Sequence, residues 1–188
     1  MAKRPKFKPD DGKLRELILL ISEWSQADPK FGAVKLNKLL FYCDFSSYLT
    51  LGKPITGQEY FALPQGPAPK RLKAITGRIK KDEELAYQNV PYHGYTQQRP
   101  IALRSPKIGS FSPQEVQLIH RTLEKFWKKS ATEISDESHL FLGWKVARER
   151  EVIPYTTALV GHRPPTERER ERGLALQQLA EEHLRAHR

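Results

Sequence analysis

Residues 34–49 read VKLNKLLFYCDFSSYL, and this stretch decides the fold. Apolar residues nearly encircle it at helical spacing, so it predicts a central helix packed on more than one side. Leu51-Gly52-Lys53-Pro54 ends that helix, with Gly52 a natural residue just past the terminus. On the N-terminal side, Leu14, Leu17, Ile18, Ile21 and Trp24 fall three or four apart and predict a helix from about Gly12 to Gln26. Asp10 or Asp11 can cap it, and Pro29 and Gly32 break the chain before the central helix.

On the C-terminal side, residues 57–63 (GQEYFAL) predict a short extended piece, and Pro64-Gln65-Gly66-Pro67-Ala68-Pro69 a tight loop. Pro67 and Pro69 suit the first turn of the helix that follows, which turns Leu72, Ile75 and Ile79 inward. Residues 85–103 are rich in Tyr, Val and turn formers and predict a two-stranded hairpin or an irregular ribbon. Ser112-Pro113-Gln114-Glu115 is a capping box with proline at the first helical position, and Ser130-Ala131-Thr132-Glu133 is a second. The helix after the first carries Val116, Ile119, Leu123, Phe126 and Trp127 on one side. The helix after the second ends near His139, with residues 140–150 as its continuation. Residues 152–161 (VIPYTTALVG) suit a last short strand or a turn.

The fold class expected is mainly α (α+β): a compact helical domain with a central apolar helix and a small β hairpin, plus a C-terminal charged helix. Residues 1–11 are expected to form a flexible basic arm, 12–161 the domain, and 162–188 an exposed helix or tail. Pro164 and Pro165 mark that last boundary, beyond which only Leu174, Leu176, Leu179 and Leu184 offer a thin apolar stripe.

Composition narrows the class. The 188 residues suit one domain, and hydrophobic residues at 38% against 29% charged suggest solvated ends. No apolar run approaches the roughly 20 residues of a membrane helix. The N-terminus lacks the apolar core of a signal peptide. Cys43 is the sole cysteine, which excludes an internal disulfide and fits the cytoplasm. The formal charge of +10 favours acidic partners. Its excess is clustered: Lys3, Arg4, Lys6, Lys8, Lys13 and Arg15 near the N-terminus, and Lys70, Arg71, Lys73, Arg78, Lys80 and Lys81 in an acid-free stretch.

The chain assembles no reaction centre. Cys43 lies in an apolar helix and suits a buried small hydrophobe. His139 suits capping or packing on Trp144 better than base catalysis. Asp44 sits among apolar residues, where it needs a Lys or Arg partner or a place at a binding surface. His183 and His187 have the spacing of a metal pair without a third ligand, so no metal and no cofactor is expected. The expectation is a protein that binds another protein and is not an enzyme. The alternative is a nucleic-acid-binding transcriptional regulator using the basic clusters.

The segment Lys35-Leu36-Asn37-Lys38-Leu39-Leu40-Phe41-Tyr42-Cys43-Asp44 is followed by Gly52-Lys53-Pro54, Phe61-Ala62 and Gly66-Pro67-Ala68-Pro69. This order resembles the Panacea domain, the SocA-like antitoxin family, over about residues 12–160. The Ser-Pro-x-Glu helix start, Ser138-His139 and Trp144 extend the likeness. Gln65 departs from the Tyr often found before the Gly-Pro. The resemblance implies a mainly helical fold with a small β element. It implies an antitoxin of a bacterial or phage toxin–antitoxin system that neutralises its cognate toxin, encoded by the adjacent gene, by direct contact. A protease becomes a second partner where such a protein acts as an adaptor; DNA is secondary, and no membrane is involved. The toxin-binding residues expected are Lys35, Lys38, Asp44, Tyr60, Gln65, Gly66, Pro67, Lys70 and Arg71. They combine polar groups and an aromatic anchor with a proline-stiffened loop that loses little entropy on docking.

Overall fold

The computed structural model describes residues 6–92 and 94–160, together with 167, 168 and 171. The expected C-terminal helix apart from those three residues, His93, His162, the His183/His187 pair and the first five residues of the arm lie outside the described residues. The elements are α1 (Asp11–Trp24), α2 (Ala33–Leu51), β1 (Tyr60–Phe61), β2 (Ala68–Pro69), α3 (Leu72–Lys81), β3 (Leu85–Tyr92), β4 (Tyr95–Ala102), α4 (Pro113–Lys125), α5 (Ala131–His139) and α6 (Leu142–Val146), with 3₁₀ turns at Ile108–Ser110 and Tyr155–Leu159. The chain is therefore mainly α with two small antiparallel pairs, β1–β2 and β3–β4.

α2 is the hub. It touches α1, α4, α5, β2, β4 and the Tyr155–Leu159 turn. Its buried residues run from Lys35 to Tyr48 around the whole circumference. An apolar helix of this kind is stable only when covered on all sides, which is what its neighbours supply. Gly52 closes it in the left-handed region at φ 72°, where its amide donates to Tyr48 O.

α1 starts where Asp10 accepts from the Lys13 amide at 2.8 Å, and it buries Leu14 and the run Leu17–Ile21. The hairpin pairs Leu85 with Ala102 and Tyr92 with Tyr95 in continuous register. It lies on α1, held by Arg99, which donates to the carbonyls of Gln26 and Asp28 at 2.5 and 2.8 Å. Buried Glu16 of α1 takes both Arg104 amino groups and the Lys107 amide at the hairpin's exit. Both capping boxes form, at Ser112–Glu115 and Ser130–Glu133.

Three local expectations change. Pro67 and Pro69 do not open a helix: Phe61 pairs with Ala68 and Tyr60 with Pro69, the Lys70 amide donates to Glu59 O, and α3 begins only at Leu72. Proline tolerates the edge of such a short ladder as readily as a first helical turn. Residues 140–150 do not continue α5. The backbone turns extended at Phe141, which sends its ring into the interior, and α6 restarts at Leu142. Gly143 lets α6 approach this closely, because a Cβ there would meet the Thr157 hydroxyl and Ile153. Residues 152–160 take the turn alternative: Val152 bridges to Phe61 and a 3₁₀ turn follows. Finally, residues 6–10 do not stand free as an arm. Phe7 packs edge-on against Tyr48 and Tyr155, and the Asp10 amide donates to Thr56 O.

The core has two parts. The larger joins α1, α2, α3, the hairpin, α4 and α5. The smaller is aromatic, built from Phe41, Phe45, Tyr60 and Phe141, with Tyr155 against it. No helix among the described residues is long and apolar enough to cross a membrane.

Candidate functional site

The segment from Thr56 to Pro69 is built on the aromatic core. Asp44 of α2 is fully buried and meets no Lys or Arg among the described residues; it accepts from the Thr56 amide at 2.7 Å, from the Thr56 hydroxyl and from Tyr60 Oη at 2.7 Å. Burial pushes the Asp44 carboxyl up, and these three donors oppose the shift. Burial and the neighbouring carboxylate also push the Tyr60 and Tyr155 phenols up. A Lys or Arg partner or a place at a binding surface was expected for Asp44; hydroxyls and an amide hold it in the interior instead. The result is a latch that fixes the turn before β1 to the central helix.

Beyond β1 the chain is clamped on both sides. The Ala62 amide donates to Glu151 O at 3.0 Å and the Arg150 amide returns the bond to Ala62 O at 2.7 Å. Trp144 Nε1 donates to Leu63 O at 3.0 Å, and the indole is stacked by His139 at 4.0 Å between ring centroids. The Gly66 amide closes a turn onto Leu63 O. Gly66 itself adopts φ +95° with no room for a side chain: a Cβ would stand 2.5 Å from Ser138 Oγ and 2.9 Å from Lys38 Nζ. Pro64 and Gln65 project from this clamped loop into solvent.

The two lysines of α2 meet different fates. Lys35 Nζ is 2.5 Å from Asp28 Oδ2 and donates to Phe126 O and Lys129 O, both at 2.7 Å. All three donors are used, so Lys35 staples the end of α4 to the loop before α2. Lys38, one turn later, is as deeply buried but meets one acceptor among the described residues, Pro67 O at 3.2 Å. Burial alone pushes its ammonium down to about 8. Lys38 lies at a cleft of about 310 Å³ rimmed by Asn37, Gln65, Gly66, Glu149 and Arg150.

The nine expected contact residues therefore separate. Lys38, Gln65, Gly66 and Pro67 come together at the cleft, and Lys70 and Arg71 stand exposed beyond β2. Lys35, Asp44 and Tyr60 are interior, with their polar groups satisfied inside the chain, so they have no accessible group to offer a partner. On the cationic stretch, Lys70 pairs with Glu59 at 2.9 Å, and Arg71 and Arg78 approach Asp11 at 2.7 and 3.9 Å. Trp144, Leu63 and Arg150 were not singled out as contact residues. The Trp144 indole N–H, a donor that needs a partner when buried, was the one available signal.

Other reactive groups are accounted for by packing. Cys43 is buried, and burial pushes its thiol up. Ser138 donates its hydroxyl to Ser135 O. Among the described residues no three His, Cys, Asp or Glu side chains gather as a metal site.

A family model for "antitoxin SocA-like, Panacea domain" matches residues 36–145, more than half of the chain. The chain belongs to this family. No curated protein and no solved structure matched it. Membership in the SocA-like family points to a non-enzymatic role and to a toxin as partner in general. The matched span begins inside α2 and ends inside α6, so it contains the latch, the loop and Lys38, while Glu149 and Arg150 of the cleft rim lie just beyond it. α1, which lies before it, is nonetheless part of the same core.

Proposed function

We propose that this SocA-like chain is an antitoxin of a bacterial or phage toxin–antitoxin pair, that it acts in the cytoplasm, and that it neutralises its cognate toxin by direct binding. The observation that carries the reading is the Leu63–Gly66 turn. Its backbone is held by Trp144 on one side and by the neighbouring strand pair on the other, while Pro64 and Gln65 are left free. A loop with no internal polar duty at its tip, held rigid from below, suits docking with little entropy loss. Leu63, Pro64 and half-buried Trp144 supply apolar surface beside the cleft. Lys70 and Arg71 supply rim charges.

Co-expression with the product of the adjacent gene tests this. The neighbour should arrest growth alone, and this chain should restore it. A Gln65→Arg variant at the tip should lose rescue with its melting temperature unchanged. A toxic neighbour that this chain neither binds nor neutralises overturns the reading. The same purified complex, presented to cellular proteases, tests whether the chain also acts as an adaptor.

Nucleic-acid binding is the second reading, motivated by the α3 cations. Three of the six basic residues between 70 and 81 already meet carboxylates of the chain, which weakens that face as a phosphate track.

A further inference from the structure

We propose that the cleft over Lys38 is a carboxylate-recognition site, taking the side chain of an Asp or Glu presented by the protein partner. The proposal deepens the proposed function and rests on it for the partner being a protein; the carboxylate chemistry rests on the cleft.

An ammonium carries three N–H donors and accepts nothing. Lys38 is 2% exposed, yet it meets only Pro67 O at 3.2 Å among the described residues. Lys35, three residues earlier and equally buried, uses all three donors and has a carboxylate beside it. The same helix thus holds a completed ammonium site and an incomplete one. The incomplete one opens on the cleft. Burial pushes Lys38 down with no carboxylate among the described residues offsetting it. Such a group is stabilised by a ligand that brings the missing negative charge and acceptors.

The rim says which anion. Charged groups at the cleft besides Lys38 are Arg150 and Glu149, both exposed, whose side chains approach each other at 3.9 Å. Together with Lys38 they leave a single net positive charge, which matches a monoanionic carboxylate. Glu149 opposes a phosphate dianion. Asn37 is half-buried and Gln65 exposed, and neither side chain is engaged in a hydrogen bond among the described residues, so both amides are free to donate. Gly66 lets the loop close down on Lys38, since a Cβ there would stand 2.9 Å from Lys38 Nζ.

The test is amide NMR of the full chain titrated with the capped peptide Ac-Gly-Asp-Gly-NH₂ at constant ionic strength. Its Asn counterpart, the free-carboxylate peptide Ac-Gly-Gly-Gly-OH and inorganic phosphate serve as the other arms. The expected result is a saturable shift of the Asn37, Gln65 and Gly66 amides with the Asp peptide, absent with the Asn peptide. It should be lost in Lys38→Met, whose spectrum elsewhere overlays the wild type. No saturable shift, or the same shift with the Asn peptide, overturns the site. A shift with Ac-Gly-Gly-Gly-OH alone overturns the side-chain assignment in favour of a C-terminal carboxylate, and one with phosphate alone in favour of nucleic acid. Because this experiment uses no toxin, its failure leaves rescue by co-expression standing, and failed rescue leaves the cleft's chemistry standing.

Discussion

Lys35 and Lys38 show how little residue type and spacing decide about a buried charge. Both sit in one Lys-Leu-x-Lys run, and both are interior. Removing Lys35 strands the Asp28 carboxylate and two carbonyls, so Lys35→Met should cost about 3 kcal/mol in urea denaturation. Lys38→Met should do the opposite and raise stability, by on the order of 3 kcal/mol at most, because it removes an ammonium buried without a counter-charge. The sign of its pH dependence follows from its depressed titration. Below pH 8 the ammonium is charged in both states and the folded chain bears the full burial cost. Between about 8 and 10.5 the folded lysine is neutral while the unfolded one still binds its proton, so wild-type stability rises with pH. The margin of Lys38→Met over wild type should therefore be widest below pH 8 and close towards pH 10.5. A margin independent of pH, or a destabilised Lys38→Met, contradicts the assignment of Lys38 as an uncompensated charge. Stability forgone at one buried position is what a binding group costs when its partner is absent.

Among the elements, the β1–β2 connection is set by contact and α2's terminus by local geometry. Gly52 and Gly66 both have positive φ, yet only Gly66 is hemmed in: nothing lies within 4 Å of a Cβ built at Gly52. Gly52→Ala should cost about 1 kcal/mol, the left-handed penalty alone. Gly66→Ala adds collisions with Ser138 and Lys38 and should cost roughly 2–3 kcal/mol while displacing the loop. Paired thermal melts check the order, and equal losses would mean that α5 yields freely to the loop. The helices themselves were legible because their signals are local: apolar spacing, two capping boxes, a glycine stop. The pairing of Ala68–Pro69 with β1 and the break at Phe141 were not, because each answers to a distant partner, Tyr60–Phe61 in one case and the aromatic core in the other.

For the whole molecule, charge is a matter of association more than stability. Lys73 and Lys81 are exposed and have no ion-pair partner among the described residues. Lys73→Glu with Lys81→Glu should leave stability within about 0.5 kcal/mol. If the toxin presents an acidic surface to this face, the pair should slow complex formation at low salt and much less at high salt, with dissociation little changed. Stopped-flow association at two ionic strengths reads this directly. An on-rate indifferent to both salt and charge reversal would place the cationic face outside the interface.

Local signals in the chain suffice for the hub helix, for most of the helices around it, for a hairpin or ribbon after α3 and, through the order of the Lys-Leu, Gly-Pro and Ser-Pro motifs, for the family. These are local properties, because periodicity, caps and turn residues act within a few positions. Which polar residues are left free is set by packing in three dimensions. Asp44, expected to meet a cation or a partner surface, instead receives Thr56 and Tyr60. Lys35 closes the end of α4, while Lys38 is left at a cleft with donors to spare. The physical reason is that a buried charge is judged by the acceptors and donors that converge on it, and those come from segments 7 to 94 residues away.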